Sequence, residues 1–182
     1  LAVGAALVIR EIVHLENVDT GMITENVVAL HLTPRAPAGD YEAIEARVSR
    51  IPGVVGAGFI QMVPLQNWGW EASFEIRGRP ESSAGRRTTE LRYVTPGYFR
   101  AMGIALRRGR AFTERDRADA EPVVIINETM ARRYWPGEEP IGKRLRPIFP
   151  TTETPWRPPS SDAWLTVVGV AGDVKEFGLG EE

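Results

Sequence analysis

Apolar and polar positions fall into short, well-punctuated blocks from Thr24 onward. Asn26-Val-Val-Ala-Leu-His-Leu32 has strand composition and stops at Thr33-Pro34. A Pro/Gly stretch follows to Gly39, and Asp40 is then placed as a helix N-cap. Tyr41, Ile44, Val48 and Ile51 recur at helical spacing, giving one apolar stripe that Pro52-Gly53 ends. Val54 to Met62 reads as the next strand. A strand–helix–strand unit of this kind is expected to set its two strands parallel with the helix on one face.

The character changes after Val63-Pro64. Glu71-Ala-Ser-Phe-Glu-Ile76 alternates with period two, as a half-buried strand does, and residues 77–89 form a polar loop. Leu91, Tyr93 and Thr95 alternate against Arg92 and Val94, which predicts another strand. Thr95-Pro96 opens a short helix, with Thr as cap, Pro in the first turn and Gly103 as the stop. Thr113-x-x-Asp116 is close to a capping box, with Asp in place of Glu. Val123-Val-Ile-Ile126 is a short buried strand, Asn127 a cap, and the helix from Glu128 to Trp135 ends at Pro136-Gly137. Residues 147–162 hold five of the fourteen prolines and read as a loop, and Trp164 to Val170 is the last strand. The pattern is α+β with short helices, in two lobes meeting near residues 63–70.

Composition adds a few boundaries. The 182 residues suffice for one domain or two small lobes, and 43% hydrophobic with 25% charged residues is ordinary for a folded chain. A net charge of -2 gives no general reason to expect nucleic acid. The absence of cysteine removes disulfides, thiolate zinc sites and Cys nucleophiles, and leaves the compartment open. Leu1 to Ile9 is an unbroken apolar run followed by Arg10-Glu11. It is too short to span a bilayer, which takes about 20 residues, and it lacks the Met and basic start of a signal peptide. It is either the clipped end of a transmembrane helix or a buried N-terminal helix.

Candidate chemistry is sparse. Gly137-Glu-Glu-Pro-Ile-Gly142-Lys143-Arg144 fits G-x-x-x-x-G-K, but Arg stands where magnesium needs Ser or Thr. It also follows a helix, and Glu138 and Glu139 would repel a triphosphate, so a structural turn is expected. Gly53-Val-Val-Gly-Ala-Gly58 enters a strand rather than a helix, the reverse of a dinucleotide loop. His14 and His31 lack ligand spacing, and there is no G-x-S-x-G elbow. No catalytic, cofactor or metal residue is assigned. The one patch that stands out is basic: eleven Arg against four acids between Arg77 and Arg117. Its members Arg77, Arg79, Arg86, Arg87, Arg107 and Arg108 are the candidate interaction surface, set against a reading in which acids elsewhere balance them.

Three blocks carry a resemblance. Tyr93-Val-Thr-Pro-Gly-Tyr-Phe-Arg-Ala-Met-Gly-Ile-Ala-Leu-Arg-Arg-Gly-Arg-Ala-Phe-Thr-Glu-Arg-Asp116 is similar to the periplasmic core domain of MacB-like permeases. So are Val123 to Leu145 and Val167-Val-Gly-Val-Ala-Gly-Asp-Val174. The resemblance covers nearly all of the chain from about residue 15, and extends to the duplicated, ATPase-less permeases of the MacB/FtsX class. It implies that residues 1–14 are the end of a transmembrane helix and linker. Residues 15–66 are then the first part of a porter-like strand–helix–strand lobe, and residues 67–182 a smaller β-rich lobe. A second porter-like unit and further membrane helices are expected beyond this chain.

The implied function is noncatalytic and extracytoplasmic, at the cell inner membrane with the domain on the periplasmic side. A separate cytoplasmic ATPase subunit moves the membrane helices, and the domain passes that movement to a periplasmic adaptor or substrate protein. The process served is efflux, export or lipoprotein and envelope traffic, with the permease working as a dimer and without cofactor or nucleic acid. The alternative is a standalone binding module for an anionic ligand or lipid surface at the Arg-rich lobe.

Overall fold

The computed structural model describes residues 19–32, 40–64, 70–80, 86–117, 119–149 and 163–175. The apolar run at residues 1–9 and most of the Pro-rich loop lie outside these. The fold is α+β: a six-stranded sheet with a few short helices.

Strand β1 (Trp70–Ile76) shows why its alternation predicts a strand: Ala72, Phe74 and Ile76 are buried while Glu71, Ser73 and Glu75 are not. It pairs antiparallel with β2 (Thr88–Leu91) on one side and with β5 (Arg144–Ile148) on the other. β5 in turn pairs with the start of β6 (Leu165–Ala171). Further along, β6 takes β3 (Leu106–Gly109) antiparallel and β4 (Val123–Asn127) parallel, the one parallel pair among the described strands. β6 is therefore the strand on which the two halves of the sheet meet, and Val167 and Val170 are fully buried in it.

Two hydrophobic clusters fill the interior. One holds Phe74, Ile126, Leu145, Val167 and Val170 against Ala131 and Trp135, with Phe74 edge-on to Tyr134 at 5.1 Å. Those last residues belong to or follow α3 (Glu128–Tyr134), which starts directly from β4. Asn127 makes this possible: its backbone is extended (φ -85°, ψ 167°), and its side chain accepts the Met130 N–H at 2.9 Å. The second cluster gathers Tyr98, Ile104 and Ala171, and it includes Met22 and Ile60 from the N-terminal part of the chain. Tyr98 lies in α2 (Tyr98–Ala101).

The N-terminal segment departs from its expected form. Helix α1 (Asp40–Val48) is present. The strand expected at Asn26–Leu32 has no pairing among the described residues, and Val28 and Leu30 are 80% and 78% exposed. The strand expected over 54–62 reduces to a single bridge, Ile60 with Val94. An apolar run supplies side chains for one face but no hydrogen-bonding partner, and without an edge to pair with it forms no strand. Smaller shifts occur elsewhere. β2 begins three residues before the expected Leu91, and β3 and β5 fall where no strand was expected. Thr113 and Asp116 make their capping contacts, with the Asp116 carboxylate accepting the Thr113 N–H at 2.7 Å, around a turn rather than a helix.

Candidate functional site at the seam of segment and sheet

The six surface arginines do not form one free patch. Arg79 donates to the Tyr134 carbonyl and to Glu138, whose carboxyl Lys143 and Arg79 hold below its usual range. Arg87 donates to the Pro80 carbonyl at 2.8 Å. Arg107 pairs with Glu128 at 3.4 Å and Arg108 with Glu139 at 3.9 Å. The side chains of Arg77 and Arg86 are exposed. The turn over 137–143 thus supplies acids to two of these arginines. Its Gly137 and Gly142 take positive φ (72° and 82°), and Glu139 accepts the Ile141 N–H at 3.1 Å, as in a structural turn. His31 is exposed. Among the described residues no three His, Asp or Glu gather as metal ligands do.

The most specific geometry lies where the N-terminal segment meets the sheet. One half of the seam is a backbone clasp. Thr95 N–H donates to the Phe59 carbonyl at 3.0 Å, and Gln61 N–H to the Tyr93 carbonyl at 3.1 Å. The Thr95 hydroxyl, expected to cap a helix, instead accepts the Phe59 N–H at 2.8 Å. Beside it two backbones touch: a Cβ on Gly58 would lie 2.4 Å from the Tyr98 nitrogen, and one on Gly97 would lie 2.2 Å from the Ala57 carbonyl oxygen. Tyr41 of α1 packs edge-on against Phe59 at 5.2 Å, so the helix is carried by the same clasp.

The other half holds the start of the described chain. Ile23 N–H donates to the Met102 carbonyl at 2.8 Å, and Lys175 N–H donates to the Thr20 carbonyl at 3.0 Å. Gly21, at φ +74°, lies so close that a side chain would meet the Asp173 carbonyl oxygen at 1.9 Å. The Asp173 carboxylate itself turns toward α3. It accepts the Thr129 N–H at 2.8 Å, the Thr129 hydroxyl at 2.9 Å and the Arg132 guanidinium at 3.0 Å. Partial burial raises this carboxyl, but the bonds from Thr129 and Arg132 outweigh it and hold it below the usual carboxylate range. Residue 173 thus joins three parts: the segment at 20–23, the end of β6 and the first turn of α3.

Sequence reasoning missed this junction. Its partners lie 44 and 41 residues apart, and no local spacing signals a contact of that range. The one available sign was Gly172-Asp173 directly after an apolar strand.

The family model described as MacB-like periplasmic core domain matches residues 4–181. No curated protein matches the sequence. The periplasmic region of MacB from Actinobacillus actinomycetemcomitans is similar at 18% identity and TM-score 0.46, over 78% of this chain and 59% of that one. A domain of a putative permease protein from Porphyromonas gingivalis gives 18% and 0.44, over 72% of this chain and 49% of that one. The extracellular domain of the noncanonic ABC-type transporter YknZ from Gram-positive bacteria gives 16% and 0.44, over 84% and 59%. This chain therefore spans about three-fifths of the first of these structures. No helix among the described residues is long and apolar enough to cross a membrane.

Proposed function

Because the chain belongs to the MacB-like periplasmic core domain family, we propose that it is the mechanical part of an ABC-type permease, passing movement of membrane helices to a substrate or partner protein. ATP is hydrolysed on a separate cytoplasmic subunit, and the permease sits in the inner membrane as a dimer with this domain on the periplasmic side. Residues 1–14 are the end of the first membrane helix and its linker. Residues 15–66 begin a porter-like lobe, and residues 67–182 form the β-rich lobe.

The observation that carries this reading is the Gly21–Asp173 junction. Movement of a membrane helix ending within residues 1–14 would arrive at a segment held by backbone bonds to Met102 and Lys175, within reach of β6 and α3. Movement applied there reaches the sheet through rigid, short-range contacts. The test is Gly21→Val in the intact permease with its ATPase. The substitution strains a left-handed residue and drives a side chain into the Asp173 carbonyl. The expected result is ATP hydrolysis that continues while transport or partner movement is lost. Undiminished coupling in this variant would remove the junction from the force path.

The alternative, anion binding at Arg77, Arg79, Arg86, Arg87, Arg107 and Arg108, has less support. Arg79, Arg107 and Arg108 already spend their charge on Glu138, Glu128 and Glu139.

A further inference from the structure

A cavity of about 580 Å³ lies between the two hydrophobic clusters of the sheet body. Phe74, Ile126 and Leu145 of the first cluster form one wall, and Tyr98, Phe99 and Ile104 of the second form another. The volume falls in the range of sites that hold small ligands, roughly 300–1,000 Å³. The cavity is partly open to solvent, and its apolar walls forfeit the contacts that a close-packed interior supplies, which an apolar guest restores.

The charges around the lining say what kind of guest fits. Glu90 faces Arg92 at 3.9 Å, Asp116 is bound by Arg110 at 2.7 Å, and Glu121 by Arg144 at 2.8 Å. Each acid on the lining is already neutralised by an arginine. Arg117, also on the lining, lies 3.4 Å from Glu42. The site offers a guest no uncompensated charge. A neutral polar end on the lining is the Tyr93 phenol, which is un-ionised at neutral pH and which partial burial pushes further up, to about 12.

We propose that this cavity is a binding site for an uncharged apolar small molecule with at most one hydrogen-bonding end. It borders the seam, sharing Tyr93 and Tyr98 with the clasp, and does not depend on force passing through it.

The probe is N-phenyl-1-naphthylamine, an uncharged dye that brightens in apolar surroundings, titrated into the intact chain. One-to-one saturation is expected, with displacement by 1-decanol and at least about tenfold weaker displacement by decanoate. Leu91→Trp and Val124→Phe add bulk at two lining positions and are expected to weaken binding by about tenfold or more while thermal unfolding stays cooperative. Leu30→Ser, on the exposed N-terminal segment, is expected to leave binding unchanged. Methyl chemical shifts of Ile104, Ile126 and Leu145 read the site without any substitution, and they should move on titration while those of Val28 and Leu30 do not. Absence of saturable binding overturns the proposal. So does binding lost through Leu30→Ser, a shift pattern confined to the N-terminal segment, or displacement by decanoate equal to that by decanol.

Discussion

The sheet body and the N-terminal segment are built from equally apolar stretches, yet they meet opposite fates. In the sheet, Phe74, Val167 and Val170 are at most 1% exposed. Among the described residues, eight of the ten exposed large hydrophobic side chains fall between Ile23 and Val55, with Val28, Leu30 and Val55 at 80%, 78% and 92%. Burying one such side chain contributes about 1.5–3 kcal/mol. The difference between the regions is therefore one of available partners, not of hydrophobicity. β1 finds β2 and β5, whereas residues 26–32 find no edge among the described residues. An exposed apolar surface of this kind marks a site that something covers. The second porter-like unit expected in the intact permease is the occupant we propose.

The sharpest way to break this contrast is to truncate one residue on each side. Phe74→Ala should lower unfolding free energy by about 3–5 kcal/mol in urea denaturation. Leu30→Ala in the same chain should stay within about 0.5 kcal/mol. Equal losses would mean that the segment is packed after all. In the intact permease, Leu30→Ala should become costly if a second unit covers it.

The clasp between the regions comes next. Gly58→Val forces a side chain onto the Tyr98 backbone and should cost about 1–3 kcal/mol. Limited proteolysis should then cut within residues 24–62 while the sheet resists; uniform resistance would contradict a clasp that holds the segment.

Asp173 gives a smaller effect with a pH signature. Its folded carboxyl lies below the usual range, so its contribution is present above about pH 4 and is lost as pH falls through the folded value. Asp173→Asn should remove about 1 kcal/mol at neutral pH, the charged bonds being partly exposed to solvent. It should also flatten the acid limb of a stability-against-pH curve. Asn127→Ala, which removes the α3 cap, should cost a similar ~1 kcal/mol with no such pH dependence.

The surface pair Arg108–Glu139 is expected to matter least, since at 3.9 Å and about half exposed it should contribute under about 0.5 kcal/mol in a double-mutant cycle.

What could be read beforehand follows the range of the physics involved. β1, β4, β6 and α3 were legible because alternation, an Asn cap and a Pro-Gly stop are local facts. β5 escaped because Arg144-Leu-Arg-Pro-Ile148 carries two arginines and a proline, although Leu145 and Pro147 are buried. β3 escaped because all four of its residues are exposed and its identity comes from β6 alone. Residues 26–32 misled for the opposite reason: their composition is right and their partner is lacking. The Asp173 junction was illegible at any window length that local reading uses, since it joins residues 20–23, 129 and 173.

The position of β6 in the chain also sets an order of events. It is the last of the described strands in chain order, and β3, β4 and β5 all pair with it. A ribosome or a translocation channel therefore releases about nine-tenths of these 182 residues before the sheet can close. Until then the growing chain carries β1 with β2 and β5 but no joining strand, exposing the faces of Phe74 and Leu145. Sequence-distant pairing of this sort folds slowly and leaves a long interval open to aggregation. A nascent chain stopped short of residue 165 thus lacks the strand on which the two halves of the sheet join.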